Sequence, residues 1–104
     1  MQTLIKDLLN IPVYEPHETI TFPSATIDSY QVNADCFGDG QPVSEMENIK
    51  IDLWYKDKEE RIRAAFALRH SLADNFDITY PDINFSFDTN TRCYRATLSF
   101  MKRR

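Results

Sequence analysis

The periodicities along this chain predict an α+β domain: a mostly antiparallel four-stranded sheet, one long helix packed on one face, and a short N-terminal helix, in the order α-β-β-α-β-β. Three observations carry that expectation. Residues 49–55, 82–87 and 93–100 alternate apolar and polar side chains with the period of two that a half-buried strand requires. Residues 57–76 repeat instead at helical spacing. The helical stretch also stands between two strand pairs, where a crossover that packs back onto the sheet belongs. With 104 residues, the chain has the length of one small domain, spanning residues 1–104.

Each element has a local reason. Leu4, Ile5, Leu8 and Leu9 follow the i, i+3, i+4 rule over residues 2–10, and Asn10 followed by Ile-Pro is a natural stop. Pro12, Pro16 and Pro23 then keep the chain extended, and a first strand is expected over about 26–32. Residues 33–47, NADCFGDGQPVSEME, hold both glycines of the protein, a proline and four acids, and read as a flexible loop. In the second strand Ile49, Ile51, Leu53 and Tyr55 face one way and Lys50, Asp52 and Trp54 the other. Asp57 with Glu60 forms a variant capping box for the long helix, and Glu59 and Glu60 suit its positive end. Its buried stripe is expected at Ile62, Ala65, Phe66, Leu68, Leu72, Ala73 and Phe76, with Asn75 as a left-handed stop. Arg69 lies near that stripe, where its stem can cover apolar surface while the guanidinium reaches out. A hairpin closes the chain: Ile83, Phe85 and Phe87, a turn at 88–91, then Tyr94, Ala96, Leu98 and Phe100.

On this reading the long helix covers Ile51, Leu53, Phe85, Phe87, Leu98 and Phe100, while Trp54 and Cys93 point to the opposite face. Either the short helix covers that second face, or an exposed tryptophan among charged residues marks an interface anchor.

Composition narrows the function classes. No apolar run approaches the roughly 20 residues that span a bilayer, and MQTLIKDLLN carries Asp7 without a signal-type apolar core, so neither a membrane span nor a leader is expected. Two cysteines, Cys36 and Cys93, are too few for a disulfide framework, and His17 and His70 have no partners at metal-ligand spacing. The net charge of −4 is unevenly placed. No Lys or Arg stands between Lys6 and Lys50, an interval holding Glu15, Glu18, Asp28, Asp35, Asp39, Glu45 and Glu47. From Lys50 onward eleven basic residues meet eight acidic ones, ending on Lys102, Arg103 and Arg104. A solvated surface accounts for such asymmetry in most chains. The functional alternative is a pair of complementary surfaces that attract copies head to tail, a contact that closes into rings.

The catalytic search returns no set of residues, and no enzyme activity, metal or cofactor is expected. There is no Gly-rich phosphate loop, no Gly-x-Ser-x-Gly and no His-Glu-x-x-His. Nothing in sequence brings Cys36 and His17 together as nucleophile and base. The stretch from Asp35 through Asp39 and Gly40 starts like a calcium loop but puts Phe37 at the third position and Met46 at the twelfth. A sheet bearing aromatic and basic residues could stack on single-stranded nucleic acid, but the acidic total opposes phosphate and no RNP-like pattern occurs.

The second half carries one resemblance. The strand NIKIDLWYKD running at once into a helix, and a hairpin ending in YRATLSF, resemble small tail-completion proteins of long-tailed bacteriophages, the tail-terminator and tail-to-head joining family. The matching residues are Ile51-Asp52-Leu53-Trp54 and Tyr94 through Phe100, with the acidic ADCFGDGQPVSE segment ahead of them; the resemblance spans about 22–102. It implies a non-enzymatic subunit that forms a ring, commonly a hexamer, at the head-proximal end of the tail. Such a ring stops tube polymerisation and docks the head connector. The implied partners are copies of the chain, the tail tube protein, connector proteins and DNA passing through the lumen without specific binding. The implied location is the virion tail after assembly in the bacterial cytoplasm, and a monomer in isolation is compatible with assembly on a template. The interface candidates are Trp54 as anchor, Asp35, Asp39, Glu45 and Glu47 as acidic partners, and Arg95, Arg103 and Arg104 as basic ones.

Overall fold

A computed structural model describes residues 1–14, 22–32 and 46–103. The elements are α1 (Gln2–Leu9), β1 (Val13–Tyr14), β2 (Ser24–Val32), β3 (Met46–Tyr55), α2 (Lys58–Asn75), β4 (Asp82–Asp88) and β5 (Cys93–Arg103). The α+β class is as expected, but the sheet has five strands and is mixed, in the order β1-β2-β3-β5-β4. The fifth strand is β1, which pairs in parallel with β2 through Val13 opposite Ala25 and Tyr14 opposite Thr26. Two residues are too few to show a period of two, and the link is held by Ala25 donating to the Pro12 carbonyl at 2.9 Å. The other pairings are antiparallel.

Strand ends also differ from the sequence expectation. β3 begins at Met46, so the last two residues of the expected loop over 33–47 belong to a ladder, with Glu47 opposite both Gln31 and Lys102. Residues 33–45 lie outside the described residues. β5 continues to Arg103, which stands opposite Met46.

α1 ends at Asn10, whose φ of 55° and ψ of 44° are left-handed and whose N–H donates to the Lys6 carbonyl at 2.8 Å. α2 opens at Asp57, whose carboxylate accepts from the Glu59 N–H at 3.2 Å, a simple N-cap. It closes on Phe76 in extended conformation, and Asn75 stays helical with its amide donating to the Ser71 carbonyl at 2.7 Å.

One core joins both helices to one face of the sheet: Ile5 and Ile11, Ala25, Ile49, Ile51, Leu53, Tyr55, Ala64, Ala65, Leu68, Leu72, Ala96, Leu98 and Phe100. Burial of Leu68 and Leu72 contributes about 1.5–3 kcal/mol each. The stripe of α2 is rotated from its expected phase. Arg61, Ala64, Ala65, Leu68 and Leu72 face inward, whereas Phe66 and Ala73 are exposed. Small side chains at Ala64 and Ala65 let the helix seat on the sheet along that line. Phe85 and Phe87, expected in the core, are exposed because β4 is the edge strand and α2 lies over β3 and β5. α1 packs beside α2 on the same side, so among the described residues no helix covers the second face.

Candidate interaction surface

The face that no described helix covers is set by strand parity. Ile49, Ile51, Leu53 and Tyr55 lie beneath the helices, so Lys50, Asp52 and Trp54 project the other way. The register adds their neighbours: Thr26 opposite Asp52, Thr97 opposite Asp52 on the other flank, Arg95 opposite Trp54, and Ser86 opposite Arg95. Ser24, Thr26, Thr97 and Cys93 share this face by parity yet are buried, and Asp52, Trp54 and Arg95 are half-buried, so the face is exposed mainly around Lys50 and Ser99. The Cys93 thiol donates to the Thr91 carbonyl at 3.5 Å.

These side chains form one connected network. The Trp54 indole N–H points to Thr26 Oγ1 at 3.5 Å, and Phe22 meets the indole edge-on at 6.2 Å between centroids. The Arg95 guanidinium lies 5.4 Å from the centroid of the Trp54 ring. Its Nε is 3.9 Å from Asp52 Oδ1 and donates to Ser86 Oγ at 3.3 Å. Asp52 Oδ1 in turn accepts a short 2.6 Å bond from the Thr97 hydroxyl. A long, partly exposed ion pair contributes at most about 1 kcal/mol, and an exposed cation–π contact about as much. The network therefore orients Arg95 over Trp54 more than it stabilises the fold. Beside it a shallow depression of about 420 Å³ opens over Lys50, Arg95, Thr97 and Ser99. Among the described side chains, the charges on this face are Lys50 and Arg95 against Asp28, Asp52, Asp82 and Asp88.

Trp54 and Arg95 are thus the two expected interface residues that the fold brings together. Glu47 lies on the helix-covered face near Lys102, at the far end of β3. Arg103 ends β5. Asp35, Asp39, Glu45 and Arg104 lie outside the described residues, as do Cys36 and His17. Among the described residues no three His, Cys, Asp or Glu side chains gather as metal ligands, and no helix is long and apolar enough to cross a membrane.

Three participants escaped sequence reasoning. Asp52 and Thr97 meet only because of register, which alternation alone does not fix. Arg61, 5 % exposed, runs under the sheet margin and donates through Nη1 to the Ser86 carbonyl at 3.0 Å, with the Arg95 carbonyl at 3.5 Å. Its guanidinium lies 4.6 Å from the Phe85 centroid and 5.3 Å from that of Tyr94, and its Nε has no hydrogen-bond partner. The backbone of the Ser86–Arg95 pair is therefore held from the helix side while its side chains serve the open face. Away from this surface, burial first and the Glu60 carboxylate second raise the Tyr55 phenol above its ordinary 10.0.

No protein-family model matches this chain, and neither does any curated protein.

Proposed function

We propose that the chain is a structural assembly subunit of a phage or prophage tail, a tail terminator or head–tail joining protein that forms a ring without catalysing a reaction. The observation that carries this reading is the sheet face that no described helix covers, with the half-buried Trp54 held in place by Arg95, Thr26 and Phe22 while both helices pack on the other side. A tryptophan braced by an arginine is the kind of anchor that dominates binding energy at interfaces. The residues behind the family resemblance divide accordingly: Ile51 and Leu53 build the core, and Asp52 and Trp54 lie half-buried on the opposite face rather than fully exposed. The acid-rich interval before Lys50 and the basic end of the chain supply opposite charges for head-to-tail contacts between copies.

Light scattering across protein concentration and salt tests it. A discrete ring-sized species, weakened by salt and by Trp54→Ala, supports the reading. Charge reversal at Asp35, Asp39, Glu45 and Glu47 to Lys should weaken the same species without unfolding the monomer; unchanged assembly counts against charge pairing.

The Trp54–Arg95 stack with Lys50 beside it also favours a second reading, a sheet face that binds single-stranded nucleic acid. The four carboxylates on that face oppose phosphate. Salt-sensitive oligonucleotide binding that is lost in Trp54→Ala would support this alternative.

A further inference from the structure

β4 is the edge of the sheet, and among the described residues nothing pairs with its outer side. Such an edge usually carries short length or charge against unwanted pairing. This one is seven residues long and bears exposed aromatics on its helix-side face. Phe85 and Phe87 are 39 % and 48 % exposed, and α2 and its exit add Phe66 at 45 % and Tyr80 at 64 %. The rings are locked together: Phe66 meets Phe85 edge-on at 6.1 Å, and Arg69 bridges Phe66 and Tyr80 at 5.0 and 4.8 Å. This is a fixed ledge of apolar surface along an open strand.

The strand's own sequence names the occupant. DINFSFD is nearly palindromic about Phe85. Antiparallel pairing with a second copy across a two-fold axis sets Phe85 opposite Phe85, Ile83 opposite Phe87, and Asn84 opposite Ser86. Only Asp82 opposite Asp88 is unfavourable. Apolar positions then meet apolar ones on the helix side, and amide meets hydroxyl on the open side. We infer that β4 is a self-complementary edge through which two copies of this chain join their sheets into one, with both α2 helices on the same side. The contact is isologous, as two-fold symmetry requires, and it does not depend on the ring proposed above.

The area available approaches that of a specific interface. With about 200 Å² per aromatic side chain, each of the four exposes about 80–130 Å², or roughly 400 Å² per copy. Complete coverage of all four would bury about 800 Å² across the pair before the strand backbones are counted, and those carry it toward the roughly 1,000 Å² of a specific interface.

Sedimentation velocity of the full chain, from micromolar to millimolar concentration at low and high salt, tests this. The expected result is a monomer–dimer equilibrium that tightens with salt as the Asp82–Asp88 repulsion is screened, opposite to a charge-paired ring. Asp82→Asn removes one carboxylate from both repulsive pairs and should tighten the dimer at least threefold. Phe87→Lys should leave a monomer with an unchanged circular dichroism spectrum. Hydrogen exchange on the wild-type chain gives a readout that needs no variant: outward amides within 83–87 should slow as concentration rises. A strict monomer at millimolar concentration, a dimer indifferent to both substitutions, or exchange in 83–87 independent of concentration would each overturn the inference.

Discussion

Replacing Arg61 with alanine tests how the helix and the outer hairpin are joined. The side chain is a buried cation whose described contacts are two carbonyls and two rings. Its bond to the Ser86 carbonyl, from a charged donor at 3.0 Å, is worth about 1.5–3 kcal/mol. Cation–π contact with Phe85 and Tyr94 adds about 0.5–2 kcal/mol per ring, and each buried methylene of the stem about 0.8 kcal/mol. Against these stands the desolvation of the guanidinium, several kcal/mol, together with the partnerless Nε. The balance places Arg61→Ala at a loss of about 3 kcal/mol. Arg61→Met keeps most of the packing and removes the desolvation cost, so it should recover at least half of that loss. Urea unfolding followed by circular dichroism and Trp54 fluorescence measures both, with the slope m showing whether the denatured state has changed. A loss below about 0.5 kcal/mol for the alanine variant would refute the claim that Arg61 joins α2 to the hairpin. Equal losses for Met and Ala would assign the effect to charge and hydrogen bonding rather than packing.

Other outcomes follow from the same structure. The Tyr55 phenol is neutral when folded and titrates above the 10.0 of the unfolded chain. Its contribution to stability is therefore complete below pH 10.0 and lost as pH rises through the higher folded-state value. Alkaline unfolding curves should show a steeper loss above that point in wild type than in Tyr55→Phe; identical slopes would mean the phenol ionises freely in the fold. Thr97→Val removes the 2.6 Å bond to Asp52 at constant shape and should cost about 1 kcal/mol in urea unfolding. A neutral result would show that Arg95 alone satisfies the carboxylate.

Much of the fold was legible because its signals are local. The start of α2 is written in Asp57 and the first-turn acids, and the end of α1 in Asn10. The left-handed stop expected at Asn75 did not occur, since Asn75 is helical and the helix closes on an extended Phe76. Strand parity in β3 and β5 follows from alternation, because every second residue must face the core. The rotation of α2 was not legible. Leu68 and Leu72 belong to both the expected and the observed stripe, and apolarity alone favours Phe66 over Arg61. The packed geometry decides otherwise, since Ala64 and Ala65 permit close approach and Arg61 finds two carbonyls and two rings. β1 was invisible because its two residues carry no periodicity.

The candidate surface divides in the same way. The sequence by itself determined that Trp54 and Arg95 lie on the face opposite the core, because a period of two leaves no other choice once Leu53 and Ala96 are buried. The tertiary structure decided that they stand opposite one another, that Asp52 meets Thr97, and that α1 lies beside α2 and leaves their face open. It also decided that Phe85 and Phe87 fall at the sheet's edge. Alternation is a property of each strand, whereas register, strand order and helix placement are properties of the whole chain, fixed only when distant segments bury their apolar surface together.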